Sequence, residues 1–227
     1  MAKTVIEVDE LHKKYGNGRP ILDGVSFSVK EQEFVTICGK SGCGKTTLLN
    51  ILGGLDRATS GRVVIDGEDI SQMSEDKLAR VRLRKIGFVF QDYNLLMDLS
   101  VRENVGLPLR LSRRKDRGRV DELLERFDIA HVADETANKI SGGEAQRAAI
   151  ARALMNEPRI ILADEPTGNL DQENTENVIR VFQVAIKDFG MTVVLATHDR
   201  ELATYASSTI LLSEGHASID LNLRPRS

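Results

Sequence analysis

From residue 39 the chain reads Gly39, Lys40, Ser41, Gly42, Cys43, Gly44, Lys45, Thr46, Thr47, directly after an apolar β-branched run and directly before a helical pattern. Glycines at this density leave consecutive backbone N–H groups bare, so they can close around phosphate oxygens. The start of the following helix adds unpaired donors and the positive end of its dipole. In that reading Lys45 binds the β- and γ-phosphates of a nucleotide and the Thr46 hydroxyl binds Mg2+. The plainer alternative is a glycine-rich strand-to-helix turn with no ligand.

A second constellation narrows the choice. The run IILADE at 160–165 is a buried-strand pattern ending in Asp164 and Glu165, where open parallel sheets keep their ligand chemistry. Asp164 would assist Mg2+, and Glu165 would accept a proton from an attacking water. The run TVVLATHD repeats the arrangement and places His198 just past another strand, where an imidazole can hold a γ-phosphate and orient the water. Gln91 follows IGFVF and could reach Mg2+ or the water; alone it reads equally as an exposed glutamine. Tyr15, in the turn KKYGNG, could stack on adenine, and alone it would be a surface tyrosine.

The stretch ISGGEAQRAAIARAL at 140–154 opens a further helix. Ser141 and Glu144 have the spacing of a capping box, which accounts for both. It leaves Gly142 and Gly143 unexplained, since a glycine costs roughly 1 kcal/mol relative to alanine inside a helix. Bare N–H groups at a helix start suit the close approach of an anion.

These residues need strands and helices to hold them. Period-2 or continuous β-branched runs predict strands at 5–8, 25–29, 34–38, 62–66, 86–90, 160–164, 192–197 and 208–213. Helical patterns predict helices at 45–54, 74–84, 119–127, 144–155 and 174–188, the last with Val178, Phe182, Ala185, Ile186 and Phe189 on one face. Strand signals vanish between about 92 and 157, which reads as an inserted helical lobe, and the tail after Gly215 reads as short and polar. The basic run SRRKDRGR at 112–119 reads as a solvated loop and helix start. The expected organisation is one domain over 1–227, with a catalytic core from about 1–91 and 158–227 and the helical lobe at about 92–157.

Composition excludes some classes. The 31 Lys and Arg against 34 Asp and Glu give a net charge of −3 and no electrostatic reason to expect nucleic acid. Aromatics are 4% and Trp is absent, so base-stacking platforms are not expected. No stretch approaches the roughly 18 apolar residues of a bilayer span, and the N-terminus has no secretory h-region. The expectation is a soluble cytoplasmic chain with no direct membrane insertion and no second regulatory domain. Cys38 and Cys43 flank the tight loop and read as free thiols.

In order, Tyr15, GKSGCGKT, Gln91, SGGE, IILADE, the NLD at Asn169 to Asp171, and His198 form a set that resembles the ATP-binding-cassette ATPases along nearly the whole chain. The resemblance implies an α/β fold with a P-loop NTPase (RecA-like) core, an antiparallel β subdomain and an inserted α-helical subdomain, working with ATP and Mg2+. It implies a head-to-tail pair on ATP binding, in which Ser141, Gly142, Gly143 and Glu144 of one copy close on ATP held by the other's phosphate loop and Asp171 lies across the interface. PTGNLD at 166–171 and the stretch IGFVFQDYNLLMDLSVRENVGLPL look like the branch serving lipoprotein release, macrolide export and peptide-antibiotic resistance. That branch implies a separate integral membrane permease that docks near Gln91, Tyr93, Leu95, Leu96 and Met97 and holds the chain at the inner face of the membrane; lobe-core residues are the alternative for Leu95 and Leu96. Ile140, Glu144 and Ala145 depart from the usual pattern, and Ala145 is expected to remove a side chain from the dimer interface. Cys43 stands where Ser is common, and KEQE at 30–33 lacks a frequent glycine. The expected function is ATP hydrolysis driving export or extraction of lipoproteins, peptides or other amphiphiles. The alternative is a mechanical or signalling ATPase of the cell-division or antibiotic-sensing type. Cassettes of chromosome or translation type would need long heptads or two cassettes per chain.

Overall fold

A computed structural model of the chain describes residues 2–168 and 170–220. Its centre is a six-stranded sheet in the order β10-β9-β3-β8-β7-β6. Strands β3 (Phe34–Cys38), β6 (Ile86–Phe90), β7 (Ile160–Asp164), β8 (Thr192–Thr197) and β9 (Ser208–Ser213) run parallel, and β10 (His216–Asp220) pairs antiparallel at one edge. The continuous apolar runs in β3, β7 and β8 are buried on both faces, as a parallel sheet requires.

Alternate residues of these strands enter two cores. Phe34, Ile161, Ala163, Val193 and Leu195 face one cluster shared with the helices of the 92–157 region and with α6 (Gln172–Phe189). Val35, Ile37, Ile160, Leu162, Val194 and Ala196 face the other. There they meet α1 (Lys45–Leu52), α2 (Glu75–Lys85) and a second, antiparallel sheet in the order β2-β1-β4-β5. Those strands are β1 (Thr4–Lys13), β2 (Leu22–Lys30), β4 (Ser60–Ile65) and β5 (Glu68–Asp69). The 92–157 region carries α3 (Val101–Ser112), α4 (Arg119–Arg126), α5 (Gly142–Leu154) and two short 3-10 turns at Ala130–Val132 and Ala137–Lys139, and its only strand pairing among the described residues is an isolated bridge between Ser100 and Thr136. The expected α/β fold with an antiparallel sheet and a helical insertion is therefore observed.

Five strands have their expected bounds, and β1, β2 and β4 run longer. The tail read as merely polar forms β10, because Glu214 and Gly215, both at positive φ, make a two-residue hairpin that returns the chain onto β9. Helix α3 had no predicted bounds. Pro108 inside it obscures the period, while Ser100 and Glu103 form a full capping box and the buried Asn104 ties the preceding loop to it through Leu96 and Leu99. On α6, Val178, Phe182 and Ala185 are buried as expected, and Ile186 and Phe189 pack partly buried against the same cluster. The last helix, α7 (Arg200–Ala203), is a single turn after β8.

Two surface expectations are corrected. Ala145 lies in the chain's own core, since the second turn of α5 packs inward, so it is not an exposed interface position. Leu95 is 6% exposed in the same cluster and is not a surface docking residue, whereas Leu96 and Met97 are 48% and 49% exposed.

Candidate active site

The C-terminal ends of β3, β8, β7 and β6 lie side by side, in register to within a residue. The chain leaves them at Gly39, His198, Glu165 and Gln91 respectively, so residues 39, 91, 165 and 198 converge although the sequence separates them widely.

After β3 the loop turns on itself, with the Cys43 N–H donating to the Lys40 carbonyl at 3.2 Å. Helix α1 then starts on Gly44, held at φ 106 in the left-handed region that glycine tolerates. No side chain caps α1 and no acidic residue sits in its first turn, which leaves its positive dipole end open to an anion. A Cβ on Gly39 would lie 2.4 Å from the Leu212 carbonyl oxygen, so the loop closes only without one. Cys38 is buried and Cys43 partly buried, and neither forms a disulfide.

Lys45 is 6% exposed. Its ammonium donates to the carbonyls of Gly39 at 3.0 Å and Lys40 at 3.3 Å, and stands 3.5 Å from Glu165 Oε1. The second Glu165 oxygen lies 2.9 Å from His198 Nδ1, within hydrogen-bond distance. Glu165 itself sits at φ 45, a strained value for a side-chain-bearing residue, and its N–H donates to Ala196 at 2.9 Å. One carboxylate thus links the phosphate-loop lysine to the histidine across two strand ends.

Asp164, beside it, keeps Oδ1 buried with no hydrogen-bond partner among the described residues. Burial pushes its pKa up and the neighbouring Glu165 charge adds to this; a Thr46 hydrogen bond and Lys45 oppose it. An orphaned buried carboxylate oxygen next to a threonine hydroxyl fits a divalent cation. Among the described residues no group of three or more His, Cys, Asp and Glu could hold a metal alone. That suits Mg2+, which commonly takes few protein oxygens and completes its shell with phosphate and water.

Ser41, Gly42, Lys45, Thr46, Thr47, Gln91, Glu165 and His198 line a cavity of about 390 Å³, with Asp164 outside its lining. It also includes Ile21, an apolar wall that no motif announces. Gln91 lies close to Gly168, where a Cβ would come 3.1 Å from its Nε2. Tyr15 is outside the cavity and 51% exposed, its hydroxyl donating to Asp56 and its ring under the Lys13 ammonium at 4.3 Å. The Asp56 hydrogen bond, with burial adding, raises the Tyr15 pKa.

Ser141, Gly142, Gly143 and Glu144 do not reach this cavity. They form the predicted capping box: Ser141 Oγ accepts from the Glu144 N–H at 3.3 Å, and Glu144 Oε2 accepts from the Ser141 N–H at 2.8 Å. The two glycines also have a reason within the chain that sequence reasoning missed. A Cβ on Gly143 would lie 2.4 Å from Asn174 Oδ1, and one on Gly142 3.0 Å from the Tyr93 hydroxyl. Asn174 in turn donates to Asp171, whose carboxylate caps α6. Asn169 of the NLD motif lies outside the described residues.

Beyond Gln91 the backbone is strained, with Tyr93 at φ 60 and Asn94 at φ 50. The Arg152 guanidinium of α5 clamps it, donating to the carbonyls of Tyr93 at 2.8 Å and Asn94 at 2.5 Å. Arg152 also lines a second cavity of about 390 Å³ between α2, β6, α3 and α5, with Leu83, Phe88, Phe90, Leu107 and Leu111 as apolar walls. None of the expected docking residues Gln91, Tyr93, Leu95, Leu96 or Met97 lines this groove. Its residues come from four elements and share no local sequence pattern.

The profile of the ABC transporter family matches residues 22–168. An uncharacterised ABC transporter ATP-binding protein of Thermotoga maritima is 45% identical over 219 residues, covering 94% of this chain and 93% of that protein. The lipoprotein-releasing system ATP-binding protein LolD 1 of Chlorobium chlorochromatii is 39% identical, covering 99% of this chain and 94% of that protein. The macrolide export ATP-binding/permease protein MacB of Syntrophobacter fumaroxidans is 44% identical over 93% of this chain, which spans only 31% of that longer protein. Among solved structures, the ATP-binding cassette MJ0796, dimeric in a post-hydrolysis state with ADP and Pi, superposes with a TM-score of 0.88 at 39% identity, covering 97% of this chain and all of that one.

Proposed function

The chain belongs to the ABC transporter family, in the branch of LolD and MacB, and from that premise we propose that it is the ATP-hydrolysing subunit that drives export or extraction of lipoproteins, peptides or other amphiphiles through a separate membrane permease. The observation that carries the reading is the contact chain Lys45–Glu165–His198 at the mouth of the glycine loop. Residues 39–47 cradle the phosphates, and Lys45 exchanges its carbonyl contacts for β- and γ-oxygens. Glu165 takes the proton of the attacking water, while His198 holds the γ-phosphate and Gln91 helps orient the water. Thr46, Asp164 and Gln91 would hold Mg2+, which neutralises charge on the β- and γ-phosphates. Tyr15 offers its exposed ring to adenine.

Ser141 to Glu144 and Asp171 stand away from their own chain's cavity, and a solved relative is a dimer. Both facts support a head-to-tail pair in which a second copy's SGGE helix completes each site. Among the described residues no helix is long and apolar enough to cross a membrane, so in this reading the permease holds the chain at the cytoplasmic face. The apolar groove of Leu83, Phe88, Phe90 and Leu107 takes a permease segment.

The test is Glu165→Gln. It should bind ATP, accumulate as a dimer on a sizing column, and lose turnover by about 10²- to 10⁴-fold. Unchanged turnover would remove Glu165 as the base.

A further inference from the structure

The connection between α3 and α4 is strongly basic. From Arg110 to Arg119 there are six cations, at 110, 113, 114, 115, 117 and 119, and one anion, Asp116, giving +5 locally in a chain of net charge −3. Runs of this kind are ordinarily solvated, and three observations set this one apart.

It is concave: Arg114, Lys115, Arg117 and Arg119, with Glu122 and Glu157 among them, line a cavity of about 490 Å³ over the buried Leu109 and Met155. It is incompletely neutralised as well. Arg110, Arg114 and Arg119 have carboxylates at 3.8, 3.8 and 2.8 Å, whereas among the described residues Arg113, Lys115 and Arg117 have no ion pair. Finally, it adjoins the apolar groove. Asn156 lines that groove, receives the Ser112 hydroxyl at 3.2 Å on its side chain, and receives Arg114 at 3.4 Å on its carbonyl. Leu111, another groove residue, is 65% exposed at the same turn.

From this placement we infer that the Arg113–Arg117 turn is a lipid-headgroup contact, seating phosphates of anionic phospholipids in the cytoplasmic leaflet. The inference rests on the reading that the groove takes a permease segment, which brings its rim toward the bilayer. Basic side chains there lie in the negative surface potential, which decays over a Debye length of roughly 8 Å. Leu111 adds an apolar contact at the headgroup boundary. An acidic protein surface offers like charge but no apolar phase for Leu111, so the lipid surface is the better match.

The experiment is co-sedimentation of the full chain, without nucleotide and at physiological salt, with vesicles of phosphatidylcholine alone or with a one-third share of phosphatidylglycerol. Partition should be at least about tenfold greater onto the acidic vesicles. The variant Arg113→Gln, Arg114→Gln, Lys115→Gln, Arg117→Gln should lose that preference while keeping its ATPase activity in solution, which shows that it is folded. The charge-conserving Arg113→Lys, Arg114→Lys, Arg117→Lys should retain it. Equal partition onto both vesicles, or a neutralised variant that still prefers the acidic ones, would overturn the inference. So would tight binding of inorganic phosphate in solution without preference for the acidic vesicles, which would assign the turn to a free anion. Co-purification with a permease tests the parent reading separately, because vesicle partition is measured with no permease present.

Discussion

His131 Nε2 stands 2.9 Å from Glu144 Oε1, while the other oxygen of that carboxylate accepts from both the N–H and the hydroxyl of Ser141. One side chain therefore joins the turn at Ala130–Val132 to the cap of α5.

This arrangement has a pH signature. Hydrogen bonds from the Ser141 hydroxyl and backbone, with His131 assisting, hold the Glu144 pKa below the usual glutamate range. A carboxylate whose folded value is depressed stabilises the fold above its unfolded value, and that contribution fades as the pH falls through the folded value. The stabilisation is thus complete at neutral pH and lost in acid. Glu144→Gln should flatten the acid limb of a plot of Tm against pH, and identical limbs in the two proteins would remove the argument.

Gly143 and Asn174 define how closely α5 approaches α6. With a Cβ 2.4 Å from Asn174 Oδ1, Gly143→Ala should cost about 1–3 kcal/mol in denaturant unfolding. Asn174→Ala in the same chain should recover part of the loss, giving a favourable coupling in a double-mutant cycle. Additive effects would show that the two residues do not meet.

Arg152 holds two carbonyls of a segment whose backbone is already strained at Tyr93 and Asn94. Arg152→Ala should lower stability by about 1.5–3 kcal/mol and accelerate amide exchange selectively over residues 91–97. Arg152→Lys should rescue little, because an ammonium lacks the planar fork that reaches both oxygens. Uniform acceleration along the whole chain would assign Arg152 a general packing role instead.

Asp164 carries a raised pKa because it is buried, with Glu165 adding to the shift. The sign is opposite to that of Glu144: its ionised form is disfavoured by folding, so at neutral pH it weakens the metal-free protein, and the penalty vanishes below the unfolded value. Asp164→Asn should therefore raise Tm in the presence of EDTA and lower Mg2+ affinity by about 10- to 100-fold, measured as the Mg2+-dependent part of the thermal shift with ADP. A lower Tm in EDTA would contradict the assignment of that orphaned oxygen.

The chemistry was legible where it sits at strand ends. Apolar runs such as IILAD and TVVLAT announce buried strands, and the polar residue after each is conspicuous by contrast. What escaped was assembled from distant residues. The groove draws Leu83, Phe88, Leu107 and Arg152 from four elements, and Ile21 enters the phosphate cavity with no motif around it. A linear pattern does not say which side of a helix or loop the core occupies, which leaves Leu95 open between docking surface and lobe core and puts Ala145 at an interface, whereas both lie in the core. The glycines of SGGE suggest a ligand by their type alone, whereas the side-chain tips of Asn174 and Tyr93 already crowd them inside a single chain.

The four parallel strands that end at Gly39, His198, Glu165 and Gln91 are adjacent rungs of one sheet. Backbone hydrogen bonding sets each step between them at about 4.8 Å, so the site is measured out by a ruler roughly 14 Å long. Its width is a property of the ladder and not of the loops that carry the reacting groups. Those loops can change in sequence, as Cys43 illustrates, without altering the spacing at which a triphosphate would be gripped.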